Sequence, residues 1–88
     1  MFHYVYMLIS INTKKYLSYV GYSLDPVKRL KLHNKGKGAK FTRGKKWKLV
    51  YFKEYDKKNV AMKEEHKLKK NYILRNKIKN ENFNLTTI

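Results

Sequence analysis

The stretch YVYMLISINTKKYLSYVGYSLDPVKRLKLH, residues 4–33, decides the fold of this chain. Its first part, Phe2 to Ile9, has apolar or aromatic side chains at both odd and even positions, which predicts a central strand covered on both faces. A short polar turn follows, and Tyr16 to Tyr22 predict a second strand that pairs antiparallel with the first. Such a hairpin brings Tyr6 and Tyr19 close together on one face of the sheet.

A capped helix follows the hairpin. Asp25 is a typical N-cap and Pro26 a typical first helical residue, because proline has no N–H to lose at that position. The helix is expected to run to about Asn34, since Gly36 and Gly38 favour its termination.

The faces of this helix differ in chemistry. On a helical wheel Val27 and Leu30 point together toward the core, whereas Arg29 and His33 share a different face. Arg29 is one of three arginines among 22 basic residues, and only arginine offers a planar fork to a phosphate. We therefore expect Arg29 and His33 to address the same ligand; the alternative is a solvated basic face.

A third strand completes the predicted sheet. Lys48 to Tyr55 has the composition of a strand, which gives an α+β fold with a small three-stranded antiparallel sheet flanked by helices. The chain has 88 residues, enough for a single modest core and for one domain.

The last third of the chain is predicted to be helical. Asn59 is a candidate N-cap for a helix that continues to about Tyr72, and a short helix is expected from Asn71 through Lys79. We expect one domain at residues 1–79 and a C-terminal tail at residues 80–88.

The net charge of +16 is the strongest compositional signal. A chain this basic attracts polyanions, so nucleic acid is the leading predicted partner and an anionic membrane surface ranks well below it. A lysine-rich composition also arises in proteins from AT-rich genomes, but that bias does not explain why only six residues are acidic.

Several classes of site and location are excluded or disfavoured. Cysteine is absent, which excludes disulfides and thiolate metal sites. The apolar run from Tyr4 to Ile9 is too short for a signal sequence or a membrane span, so a cytoplasmic location without membrane association is expected.

A basic loop, KGKGAKFTRGKKWK, occupies residues 35–48. Its glycines allow the backbone to approach a phosphate chain, and Phe41 and Trp47 can stack on bases or anchor the loop. The alternative is a solvated loop in which Trp47 simply begins the next strand. The expected nucleic-acid contacts are Lys28, Lys35, Lys37, Lys40, Arg43, Lys45 and Lys46.

One carboxylate is placed unusually. Ala61, Leu68 and Tyr72 form an apolar stripe on the second predicted helix, and Glu65 falls in the middle of it, whereas Glu64 does not. A carboxylate on an apolar face needs a partner, which is either a lysine at the edge of the core or a metal ion. With a single carboxylate, one Mg²⁺ or Mn²⁺ ion completed by water and phosphate oxygens is the natural choice.

Taken together, these motifs resemble the GIY-YIG nuclease domain. Tyr4-Val5-Tyr6 corresponds to the first motif, with tyrosine where the family has glycine, and Tyr19-Val20-Gly21 corresponds to the second. Arg29 follows ten residues after Tyr19. The likeness runs from Phe2 to Leu68 and is greatest to small stand-alone bacterial proteins of this family, whose helix and loop resemble RLKLHNKGKGAKFTRGKKWKLVY.

The resemblance implies a catalytic set. Its members are Tyr6, Tyr19, Arg29, His33 and Glu65, with Glu65 as the metal ligand. By analogy with the family Tyr6 is the general base, although which tyrosine has this role stays open; Tyr19 and His33 would orient the water or the scissile phosphate. Free tyrosine titrates near 10, so the base must have a depressed pKa or pass its proton onward.

The predicted function is therefore a divalent-metal-dependent DNA endonuclease that hydrolyses phosphodiester bonds. Lysine contacts to phosphate carry no sequence information, so any preference is expected to be for branched, flapped or single-stranded DNA, as in repair or recombination. The alternative is a non-catalytic basic protein that binds DNA or RNA on the same fold.

Overall fold

Three strands and three helices make up the chain in the computed structural model, which describes residues 1–86, with side chains for residues 1–82. In chain order they are β1 (His3–Ser10), β2 (Ser18–Ser23), α1 (Pro26–Asn34), β3 (Trp47–Tyr55), α2 (Lys58–Lys70) and α3 (Tyr72–Thr86), with a short 3₁₀ turn at Lys40–Thr42. This confirms the predicted α+β class.

The three strands form one antiparallel sheet in the order β2-β1-β3. As predicted, β1 is the central strand, and its residues from Val5 to Ser10 are all buried. In the register Tyr6 lies opposite Gly21 on β2 and opposite Phe52 on β3. Cross-strand partners share a face, so these three residues lie on the same side of the sheet.

Each face of the sheet packs against different helices. On one face Tyr6, Leu8 and Trp47 form a cluster that Leu30 of α1 covers. On the other face Val5, Met7 and Ile9 pack against residues of α2 and α3, among them Ala61, Leu68 and Ile78. The residues of the predicted site therefore divide between the two faces. Tyr6, Tyr19 and His33 lie on the side of α1, and Glu65 belongs to α2 on the other side.

Helix α1 begins and ends as the sequence predicted. The Asp25 Oδ1 atom accepts a hydrogen bond from the Lys28 N–H at 3.1 Å, and Pro26 is the first helical residue. After Asn34 the chain leaves the helix through Gly36, whose φ of 75° is a left-handed conformation that glycine adopts without steric cost.

The predicted core side of α1 was right for Leu30 and wrong for Val27. Val27 is 56% exposed, while Pro26 and His33 are buried and Leu30 packs against the core. Positions 26, 30 and 33 have the i, i+4, i+7 spacing of a helical stripe. The core side of α1 therefore includes His33, which the helical wheel had placed on a different face together with Arg29.

Helices α2 and α3 differ from the prediction at their ends. Lys57, not Asn59, is the N-cap of α2, because only two residues separate β3 from the helix. Asn71 ends α2, and its Oδ1 accepts the Leu74 N–H at 3.1 Å as α3 begins. Tyr72 thus lies beyond α2 and is 66% exposed, so it does not extend the stripe of Ala61 and Leu68.

The third helix is longer than predicted, since it continues past Lys79 to Thr86. The division into a domain of residues 1–79 and a tail of residues 80–88 stays a prediction, and the last two residues of that tail lie outside the described part of the chain. Within residues 1–86, no helix has the length and apolar character required to cross a membrane.

Candidate active site

Tyr6 forms the floor of the candidate site, and Gly21 makes room for it. A Cβ atom at Gly21 would lie only 2.5 Å from the Tyr6 hydroxyl oxygen, so the tyrosine ring crosses β2 where that strand has no side chain. The space above Gly21 is therefore occupied by the chain's own Tyr6. Only 1% of Tyr6 is exposed.

His33 lies beside Tyr6 in the core and does not face solvent. The structure buries it completely, which corrects the expectation that it addresses a ligand together with Arg29. Its Nε2 atom is 2.8 Å from the Tyr6 hydroxyl, and its Nδ1 atom is 2.8 Å from Thr42 Oγ1. A Cβ atom at Gly38 would overlap the imidazole ring, so this loop glycine allows the close approach.

The hydrogen-bond partners favour one tautomer of His33. The Thr42 hydroxyl donates its one hydrogen to the Ala39 carbonyl at 2.7 Å, so toward His33 it can only accept. The Ala39 N–H also approaches Nδ1, at 3.4 Å, but the Thr42 contact at 2.8 Å is the shorter of the two, so we assign the proton to Nδ1 and leave Nε2 as an acceptor. The Tyr6 hydroxyl then donates to Nε2, which makes His33 a base aimed at the tyrosine proton.

Burial governs the pKa values of this pair. It raises the pKa of Tyr6 to about 12, with further elevation from Tyr19 and Glu65, against a lowering by the hydrogen bond and charge of Arg29. Burial also lowers the pKa of His33, and the Arg29 charge lowers it further. Both groups are thus neutral at pH 7. Of the two routes left open by the sequence, a depressed tyrosine pKa is disfavoured by the burial of Tyr6.

Tyr19 stands between the buried pair and the solvent. It is half-buried, with ring centroids 6.4 Å from Tyr6 and 4.9 Å from His33. Phe41 of the basic loop stacks on its outer side at 6.4 Å with an interplanar angle of 19°. The hairpin has therefore brought the two motif tyrosines together, as predicted.

Arg29 is exposed and lies close enough to Tyr6 for its guanidinium to lower the pKa of the tyrosine hydroxyl. Together with Lys28 it lines an open groove of about 550 Å³ between the end of β2 and α1. A planar guanidinium at a groove has the geometry required to bind a phosphate.

Glu65 lies on α2, and its charge is the smallest of the causes that act on the pKa of Tyr6, which it raises. Its side chain is only 13% exposed and its carboxylate pairs with Lys69 at 3.2 Å. Glu64 is more exposed, at 34%, and pairs with Lys67 at 3.3 Å. The lysine partner expected as one alternative for Glu65 is therefore present, and Glu65 is the more buried of the two acids.

A divalent ion would find one protein carboxylate here. Residues 1–86 contain no group of three histidine, aspartate or glutamate side chains arranged to hold a metal. Mg²⁺ is commonly bound through one or two carboxylates with waters and substrate phosphates, so Glu65 fits the role of sole protein ligand if Lys69 releases it.

The basic loop is fixed at its ends. Asn34 closes it by accepting the Trp47 N–H at 2.7 Å and donating to the Trp47 carbonyl at 3.2 Å. Trp47 is buried and donates through Nε1 to the Thr42 carbonyl, so it anchors the loop and does not stack on a base. It is also the first residue of β3. Lys45 folds back onto the Phe41 carbonyl at 2.9 Å. The remaining predicted contacts are exposed: Lys28, Lys35, Lys37, Lys40, Arg43 and Lys46.

Three residues shape the site in ways that the sequence did not indicate. Thr42 orients His33, Gly38 admits its ring, and Asn34 closes the loop. Their position was the only signal in the sequence. Thr42 and Gly38 are uncharged residues within a lysine-rich segment, and Asn34 is the last residue of the helix before it. None of them could be assigned a partner before the loop was seen folded over α1.

Comparison with known proteins defines the class. The family model described as the GIY-YIG catalytic domain matches residues 2–82, and this chain therefore belongs to the GIY-YIG family. The predicted family is confirmed by a match across nearly the whole chain.

The relatives are small proteins named only as UPF0213. The chain is 40% identical over 68 residues to one from Oceanobacillus iheyensis, covering 76% of each. It is 42% identical over 69 residues to one from Clostridium perfringens, covering 77% of this chain and 71% of the relative. A solution structure of the UPF0213 protein BH0048 from Bacillus halodurans matches at 35% identity and a TM-score of 0.47, covering 88% of this chain and 80% of that one.

Proposed function

We propose that this protein is a divalent-metal-dependent endonuclease that hydrolyses phosphodiester bonds in DNA. The observation that carries the proposal is the buried hydrogen bond between Tyr6 and His33 at 2.8 Å, next to the exposed Arg29 and the charge of Glu65. In a member of the GIY-YIG family, this set supplies a proton acceptor, a phosphate clamp and a metal ligand in one place.

Tyr6 acts as a proton relay in this proposal. With a pKa of about 12, almost none of it is phenolate at pH 7, so it cannot be a pre-formed base. As its oxygen takes a proton from the attacking water, its own proton passes to Nε2 of His33. His33 ends the step as an imidazolium held by Thr42, and Tyr6 stays neutral throughout.

Arg29 has two consequences for the substrate. Its charge lies close enough to Tyr6 to lower the pKa of that hydroxyl, so a phosphate bound by the guanidinium would lie beside the proposed relay. Arg29 would then stabilise the charge that develops on the phosphate.

Glu65 would hold one Mg²⁺ or Mn²⁺ ion after exchange of its Lys69 partner. Bound there, such an ion supplies charge neutralisation on the phosphate and assistance to the leaving oxygen. Tyr19 and Phe41 form the wall beside this position and limit the access of bulk water to it.

The exposed lysines of the basic loop would bind the DNA backbone. Such contacts position a duplex without reading its sequence, which favours selection of branched or single-stranded structure in repair or recombination. Replacing Lys37, Lys40 and Lys46 with Gln should raise Kd on the order of 10-fold and flatten its dependence on salt. The charge-matched triple of Lys63, Lys70 and Lys77 should have little effect; equal effects would assign binding to net charge alone.

The test is cleavage of supercoiled plasmid and of branched oligonucleotides, with Mg²⁺ or Mn²⁺ and with chelator. Glu65→Gln should lose cleavage and keep DNA binding, whereas Glu64→Gln, the matched neighbour, should keep both. Cleavage by Glu65→Gln at the wild-type rate would contradict the proposed metal site, and absence of cleavage on every substrate would contradict the enzyme.

A second candidate is a protein that binds DNA or RNA without cutting it. The Glu65–Lys69 ion pair and the burial of Tyr6 favour it, because both groups are already engaged within the fold. In this case the protein binds nucleic acid in the presence of a chelator, and RNA and DNA stay bound up to comparable salt concentrations.

A further inference from the structure

A second groove opens on the same face of the sheet as Tyr6. It has a volume of about 340 Å³ and lies between the start of α1 and the free edge of β3. Its lining includes Tyr4, Leu24, Asp25, Val27, Leu49 and Phe52. It shares Leu24 and Asp25 with the groove at Arg29, so the two grooves adjoin.

The groove exposes several large apolar side chains. Phe52 is 60% exposed, and Leu24 and Val27 are each at least half exposed. Contiguous exposed apolar side chains on a small protein mark a binding surface more often than chance. The Phe52 ring meets Tyr4 edge-on, with centroids 6.2 Å apart and an interplanar angle of 65°, and this contact fixes the phenylalanine in place.

Negative charge disfavours a phosphate at this groove. The Asp25 carboxylate lines both this groove and the one at Arg29, and Glu54, outside the lining, accepts the Tyr4 hydroxyl at 3.4 Å. Lysine, by far the commonest charged residue, is missing from the described lining. A nucleobase suits this chemistry, since it offers a flat apolar face for stacking and, in three of the four bases, amino donors for carboxylates.

We propose that this groove binds an unpaired nucleobase next to the phosphate held at Arg29 and Tyr6. The position of the phosphate rests on the proposed function, whereas stacking of the base on Phe52 does not require cleavage. Bases within a duplex have both faces stacked, so only a flap, branch or single strand can present one here. The groove therefore supplies the structural selectivity that phosphate contacts lack.

The test measures binding of a single-stranded oligonucleotide and of a duplex to Phe52→Ala, each at fixed salt. Base stacking on an aromatic ring contributes roughly 1–3 kcal/mol by alanine substitution, so single-strand affinity should fall roughly 5- to 150-fold while duplex affinity is unchanged. Phe52→Trp should restore the single-strand affinity. The fluorescence of 2-aminopurine in the oligonucleotide should be quenched by the wild-type protein and not by Phe52→Ala. Tyr72→Ala, at an aromatic residue that is 66% exposed on α3, is the matched control and should bind as wild type.

Other outcomes have defined meanings. Unchanged single-strand affinity, or equal losses on single strand and duplex, would overturn the base site. Self-association that Phe52→Ala abolishes, with no change in oligonucleotide binding, would assign the groove to a second copy and also overturn it. Failure of cleavage with intact dependence of binding on Phe52 would contradict the proposed enzyme and leave the base site standing.

Discussion

The two faces of the central strand differ in what they bury. Val5, Met7 and Ile9 face α2 and α3 through apolar contacts, whereas Tyr6 on the opposite face is buried against His33 through a hydrogen bond. Burying polar groups yields little net stability even when each is satisfied. The core facing α2 and α3 is therefore built from apolar side chains, whereas the α1 face combines the apolar cluster of Leu8 and Trp47 with a buried polar network suited to chemistry.

The largest expected effect follows from removing the Tyr6 hydroxyl. Tyr6→Phe keeps the ring but removes the relay, and loss of a general acid–base group lowers rates by roughly 10²- to 10⁴-fold. The measurement is the single-turnover cleavage rate at saturating protein, with DNA binding unchanged. Tyr19→Phe should be affected less; a greater loss in Tyr19→Phe would move the base to Tyr19.

The apolar face should respond in the opposite way. Leu68→Ala removes a buried side chain that is 6% exposed and should lower the free energy of unfolding by about 2–5 kcal/mol. Urea denaturation measures this loss, and the cleavage rate per folded molecule should be unchanged. A rate loss without a stability loss would mean that this face contributes to the chemistry.

Thr42→Val tests how the network is oriented. It leaves the Nδ1–H of His33 without an acceptor, and the Ala39 N–H, 3.4 Å from Nδ1, then favours the opposite tautomer. We expect cleavage to slow on the order of 10-fold, less than for loss of the acid–base group itself. Thr42→Ser retains the hydroxyl and should cleave as wild type; equal rates for Val and Ser would remove Thr42 from the account.

The smallest expected effect is on the pH dependence of stability. Burial lowers the pKa of His33 below 6.5, so below that pH the unfolded state binds more protons than the folded state. Stability is complete above about pH 7 and is lost as the pH falls from roughly 6.5 through the folded pKa. Urea midpoints should decline less steeply for His33→Gln than for wild type, while His66→Gln, at an exposed histidine, should decline as wild type does.

The sequence predicted those features that depend on local signals. The two-sided apolar pattern gave β1 its central position, and Asp25 with Pro26 gave the start of α1, because strand pairing and capping require only neighbouring residues. The convergence of Tyr6 with Tyr19 followed from the hairpin.

The features that failed depend on distant partners. The helical wheel placed His33 with Arg29, away from the core, because it shows spacing along the helix and not the partners Tyr6 and Thr42, which come from other segments of the chain. That one error exchanged Val27 for His33 on the core side of α1. The start of α2 differs from the prediction for a related reason. The short connection after β3 positions this helix, and the capping preference of Asn59 does not.

The most direct test of the account is the protonation state of His33, read from the ¹⁵N chemical shifts of its imidazole nitrogens in the wild-type protein. The account predicts a neutral ring at pH 7 with the proton on Nδ1 and an unprotonated Nε2 that accepts from Tyr6. A proton on Nε2, or an imidazolium at this pH, would contradict it, because His33 could then take no proton from the tyrosine.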